Sequence, residues 1–126
     1  MSLTLTHLVA LALSLPLWAQ ASVMPVVDRV QYVGAVAGHE HAYGYTTLDG
    51  RILLAPQCRV TIEREQQCLA HEAEHVRGHG ECWAYATQLK IAHEQSAEAL
   101  AWARELYWRY GEPACAANDV EGYDKY

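Results

Sequence analysis

The chain has 126 residues, 4 of them cysteine, and sets 9 Lys and Arg against 15 Asp and Glu, for a formal net charge of −6. That balance makes nucleic acid and anionic membrane poor partners, since both would repel it. The length suffices for one domain with a modest core and leaves little room for a separate recognition module.

Residues 1–21 read as a secretory signal: an apolar run from Leu8 to Ala19, a helix-breaking Pro16, and Ala19-Gln20-Ala21 as a small-residue cleavage site. Cleavage is expected after Ala21, which would leave residues 22–126 as the folded domain, periplasmic or secreted. The run is shorter than the about 20 apolar residues of a transmembrane helix, so no stable membrane insertion is expected after cleavage. Val26 to Val33 is expected to be an edge strand or a short helix, because Val26, Val30 and Val33 fit either spacing. Ala37 to Thr47 reads as extended, with Tyr43, Tyr45 and Thr47 alternating. Asp49-Gly50 then supplies a tight hairpin turn, and Arg51 to Leu54 returns as a strand ended by Pro56. Arg59 to Ile62 is β-branched enough to extend the sheet.

By Glu65 the pattern is helical and runs through His75 to a stop at Gly78-His79-Gly80. A second helix begins near Glu81 and meets no Gly or Pro until Gly111-Glu112-Pro113, so one continuous helix is expected, its Ala-rich face packed antiparallel on the first. The fold class is therefore α+β: a β-hairpin sheet followed by two antiparallel helices. The tail from Cys115 to Tyr126 is polar and turn-like.

His71-Glu72-Ala73-Glu74-His75 carries the chemistry. Residues four apart on a helix share a face, so both imidazoles can reach one zinc ion, while Glu72, rotated about 100°, reaches a water beside it as general base. Glu74 falls about 200° from Glu72 and should face away. A catalytic site needs a third ligand, and His79, Glu81, His93, Glu94 and Glu98 are available. In an antiparallel helical hairpin His75 lies level with roughly position 83 and His71 with roughly position 87, which favours Glu81. Glu94 would stand about 20 Å further along the second helix. His79 could take the place only if the helix broke at Gly78.

His71-Glu72-x-x-His75-x-x-Gly78-x-x-Glu81 resembles the zincin metallopeptidases, in particular the extended metzincin pattern in which a glycine turn delivers a third ligand six residues after the second histidine. It departs from that pattern in having Glu where His or Asp is usual, and Met1 and Met24, the only methionines, both precede the motif. A glutamate opening a second helix is similar to minimal gluzincin-type peptidases. The resemblance covers Arg51 to about Ile91. It implies that His71, His75 and Glu81 bind Zn2+, that Glu72 is the base, and that the strand before the motif pairs with a peptide or protein substrate.

Tyr85, one turn beyond Glu81, is the best-placed donor to a developing oxyanion, with Tyr43 and Tyr45 behind it; the alternative for each is ordinary packing of aromatic rings. His39 and His41, two apart in an extended segment, could hold a second metal or face the solvent. Cys58, Cys68, Cys82 and Cys115 suit two disulfides in an oxidising compartment, although Cys68, three residues before His71, could instead be a thiolate ligand. A straight helix from Glu81 to Tyr110 would keep Cys82 from Cys115. The pairs are then Cys58 with Cys115 and Cys68 with Cys82, or a local Cys58–Cys68 bridge with a broken second helix. These features imply an exported zinc-dependent hydrolase, a metallopeptidase above all. The alternatives are a zinc amidase acting on cell-wall peptides and a non-catalytic, disulfide-bonded binding or inhibitory protein. Oligomeric state is not legible.

Overall fold

A computed structural model describes residues 3–40 and 42–117. Its elements are α1 (Leu3–Leu13), α2 (Leu17–Val23), a 3-10 turn (Met24–Arg29), β1 (Val30–Tyr32), β2 (Gly44–Thr46), β3 (Ile52–Leu54), a second 3-10 turn (Pro56–Arg59), α3 (Ile62–Val76), α4 (Glu81–Ala92), α5 (Ala97–Leu106), a π-helical turn (Tyr107–Gly111) and α6 (Glu112–Ala116). The class is α+β, with a mixed three-stranded sheet in the order β1-β3-β2, β1 parallel and β2 antiparallel to β3.

The hairpin forms where Asp49-Gly50 predicts it. Gly50 takes φ +84°, a left-handed conformation that costs glycine nothing, and its N–H donates to Thr47 O at 3.0 Å. The Val26–Val33 segment divides between the two readings: a 3-10 turn, then the edge strand β1. Only Gly44–Thr46 of the expected Ala37–Thr47 extension pairs with a strand. The Arg59–Ile62 extension of the sheet does not form, because Pro56 opens a 3-10 turn and Thr61 caps α3, its hydroxyl accepting from Arg64 N–H at 3.1 Å.

The long second helix is the main correction. It stops at Ala92, turns through residues 93–96 and restarts at Ala97, without a glycine or proline. Ser96 supplies the break: its hydroxyl accepts from Ala99 N–H, capping α5, while its own N–H and O–H donate to the Glu63 carboxylate at 2.8 and 2.6 Å. A serine that finds a cap and a carboxylate across the fold outweighs helix propensity. The break brings α6 back to α4, and the disulfides are Cys58–Cys68 and Cys82–Cys115. Cys68 is thus no thiolate ligand, and of the two pairings left open by the sequence the local one forms.

The helix α3 runs through the middle, with every residue from Glu65 to His75 buried. One side packs on β2 and β3, another on α4, and a third on α1 and α2, where Leu8, Leu11, Ala12, Leu15, Ala19 and Val23 join Leu69 and Ala73 in the core. In the full chain, then, the segment expected to be an export leader covers one face of α3. No described helix is long and apolar enough to cross a membrane. Beside this core Glu65 accepts from the Tyr32 hydroxyl and lies 2.9 Å from His7 Nε2. Burial, then Glu65, raises the Tyr32 pKa, while Arg59, 4.6 Å above its ring, opposes the shift.

Replacing Cys82 and Cys115 by alanine should destabilise the protein by roughly 3–4 kcal/mol, since that bridge closes a loop 33 residues long, as urea unfolding would measure. The fold favours the neutral Tyr32 phenol, so its contribution is complete below the ordinary tyrosine range and is lost as pH rises through the raised value. Phenolate absorbance should accordingly show one tyrosine that ionises after the rest, a late step absent in Tyr32→Phe.

Candidate metal centre

The stop of α3 builds the site. Gly78, at φ +90°, lets the chain reverse, and Gly80 leads it into α4, so Glu81 at the head of α4 returns to the level of the motif. Glu81 Oε1 lies 2.5 Å from His75 Nε2 and 3.0 Å from His71 Nε2, and the two Nε2 atoms are 3.2 Å apart. All three side chains are buried. The register follows the antiparallel expectation: His71 meets Gln88, its Nδ1 2.9 Å from Gln88 Oε1, and Glu74 accepts from the Thr87 hydroxyl at 2.6 Å.

His75 Nδ1 sits 2.7 Å from the backbone carbonyl of His79, which can only accept, so Nδ1 carries the proton and Nε2 presents a lone pair. That lone pair, His71 Nε2 and a carboxylate oxygen then converge on one buried point. Such a convergence requires a cation among them, a proton or a metal. Tetrahedral zinc with arms of about 2.0–2.1 Å would set its donors roughly 3.3 Å apart, close to two of the three separations here. The set of two imidazoles and one carboxylate therefore fits a divalent metal. The carboxylates draw positive charge to this point: burial alone would lower the His71 pKa, but Glu81 and then Glu72 outweigh it and raise it. Burial would likewise raise Glu81, yet His71 and His75 hold it well below the usual carboxylate range.

Glu72 is the other candidate third donor, because His71, Glu72 and His75 offer donor atoms all within 4.8 Å of one another. Glu81 is nearer, with one oxygen against both imidazoles, whereas Glu72 Oε2 stands 3.8 Å from His71 Nε2. Thr46 on β2 holds Glu72 apart, its hydroxyl 3.0 Å from Glu72 Oε1. Gly44, two residues earlier on the same face, leaves room for the carboxylate: a Cβ there would stand 3.1 Å from Glu72 Oε2. Glu72 thus borders a cleft of about 760 Å³, mouth included, whose walls carry Tyr43, Tyr85, Trp102, Leu106 and Tyr110.

Of the other residues singled out from sequence, Tyr85 sets its ring edge-on to His71, centroids 4.4 Å apart, and lines the cleft with Tyr43, whereas Tyr45 stacks on His39. His41 lies outside the described residues. The His79 ring stacks on Trp83 at 3.8 Å, so its carbonyl rather than its imidazole serves the site. Glu94 accepts from Trp18, and His93 and Glu98 are exposed. Glu74 is buried and is met by the Thr87 hydroxyl and by Arg77. Sequence reasoning missed Thr46, Gln88 and Trp102. The alternation that singles out Tyr43 and Tyr45 contains the signal for Thr46, since Gly44 and Thr46 form its other face.

The chain matches no protein-family model, no curated protein and no solved structure.

Zinc added to metal-free protein should raise the unfolding free energy by about 2.7 kcal/mol at a free concentration one hundred times the dissociation constant. His75→Ala should abolish that increment in a thermal melt, and unchanged zinc content in that variant would remove the metal assignment.

Proposed function

We propose that the chain is an exported zinc-dependent hydrolase of zincin-like architecture, acting as a metallopeptidase on peptide or protein substrates. One observation carries the proposal: Glu81 Oε1 within 2.5 and 3.0 Å of the two imidazole nitrogens, with a second carboxylate, Glu72, held beside them at the wall of a cleft. His71, His75 and Glu81 would hold the zinc. When bound, the metal supplies Lewis acidity, polarising a carbonyl and lowering the pKa of water from 15.7 towards about 7.

The remaining work belongs to side chains. Glu72 takes a proton from the attacking water and delivers it to the leaving amine, which needs a carboxylate that is oriented but not itself a ligand. Thr46 provides that orientation by donating to Oε1, which leaves Oε2 towards His71 and the cleft. Tyr85, against His71, is the donor to the developing oxyanion. The aromatic walls exclude water and accept bulky apolar side chains. That lining favours ordinary peptides over the small polar residues of cell-wall peptides, and so the peptidase over the amidase. Two disulfides suit an oxidising compartment outside the cytoplasm, in line with the leader-like first 21 residues.

Glu72→Gln should retain zinc and lose turnover of a fluorogenic peptide by about 10²–10⁴-fold, the usual contribution of a general base. Undiminished hydrolysis by that variant would overturn the mechanism; a wild type inert towards peptides but active on cell-wall fragments would leave the amidase.

A further inference from the structure

Four buried or half-buried glutamines lie end to end beside His71. Gln88 Oε1 is 2.9 Å from His71 Nδ1, and Gln88 Nε2 donates to Gln67 Oε1 at 3.1 Å. Gln67 Nε2 donates to Gln95 Oε1 at 2.9 Å, and Gln95 Nε2 to Gln66 Oε1 at 3.0 Å. Gln66 Nε2 ends the series on the carbonyl of Leu11, at 3.1 Å.

An amide could face either way at each step, but three backbone carbonyls remove the choice. Leu11 O takes a hydrogen from Gln66, Glu63 O one from Gln95 at 3.2 Å, and Ala99 O one from Gln67 at 3.0 Å. A carbonyl only accepts, so each amide must turn its nitrogen towards it and its oxygen towards the previous glutamine. Orientation passes along the series, and Gln88 must present oxygen to His71.

We propose that this glutamine relay fixes His71 as the Nδ1–H tautomer, leaving its Nε2 lone pair aimed at the metal point, with Gln88 as the positioning residue and Gln67, Gln95 and Gln66 as its support. His75 obtains the same tautomer from the His79 carbonyl. A histidine ligand whose far N–H has a fixed acceptor binds metal more tightly, because neither tautomer nor ring orientation has to be selected on binding. Burial magnifies the effect, since a reversed Gln88 would set its oxygen against that of Gln67 where water cannot intervene. The break between α4 and α5 has a use in this light: it delivers Gln95 to α3. Two of the three orienting carbonyls belong to Glu63 and Ala99, so the polarity of the relay survives loss of the segment that carries Leu11.

The proposal rests on His71 being a metal ligand, and the test separates the two ideas. Long-range proton–nitrogen NMR spectra of the metal-free wild type, disulfides intact and His71 neutral, should show Nδ1 protonated and Nε2 bare. An Nε2–H tautomer there overturns the proposal whether or not zinc binds. Chelator competition should then give zinc affinities about 10–100-fold weaker for Gln88→Leu, which keeps the side chain's bulk and removes the acceptor. Gln95→Leu, remote from the metal point, should weaken zinc in the same direction and make the Nδ1–H exchange faster with water. Affinities within twofold of wild type in both variants overturn the relay, and if Gln88→Leu fails to fold, Gln95→Leu and the wild-type spectrum still decide. A wild type with the expected tautomer but no zinc affinity would instead refute the metallopeptidase.

Discussion

A helix buried on every side yet carrying Glu65, Gln66, Gln67, His71, Glu72, Glu74 and His75 is the constraint on which this structure depends. An unsatisfied buried polar group costs on the order of 1–3 kcal/mol, more if charged, so seven such side chains without partners would cost about as much as the whole stability of a domain this size. The rest of the fold supplies the partners. Tyr32 and His7 meet Glu65, Thr46 meets Glu72, Thr87 and Arg77 meet Glu74, and Glu81 meets both histidines. An apolar α3 would bury more simply; the polar one is maintained by a shell of specific contacts.

Rigidity follows from how those partners are tethered. The Cys58–Cys68 bridge ties the end of the sheet to α3, and Cys82–Cys115 ties the first turn of α4 to α6. Glu81, which meets both imidazoles, is therefore adjacent to a covalent anchor. Across the cleft, Tyr43 comes from the segment leading into β2, Trp102 and Leu106 from α5, and Tyr110 from the π-helical turn. Glu72 and the cleft walls thus stand on different elements around one fixed helix, an arrangement in which the walls can vary without disturbing the cluster of His71, His75 and Glu81.

Local rules made much of this legible. The period of the helix puts His71 and His75 on one face, Gly78 stops it, and counting residues back from that turn places Glu81 within reach while excluding Glu94. Each follows from backbone geometry, which acts over a few residues and is written in the chain directly. The α4–α5 break was not legible in this way. Ser96 is an ordinary helix residue until Glu63, far away in the chain, offers it a carboxylate. The same holds for the disulfide pairing, which waited on that break.

The amino-acid sequence by itself determined the class, the hairpin, the motif helix and the shared face of His71 and His75, because hydrophobic period, turn chemistry and helical spacing are local properties. Only the tertiary structure decided which carboxylate faces both imidazoles, that Thr46 and Gly44 make room for Glu72, and that three main-chain carbonyls orient a row of glutamines towards His71. Those outcomes depend on donors and acceptors brought together from distant parts of the chain, and a hydrogen bond has no preferred partner until packing removes the water that would otherwise take its place.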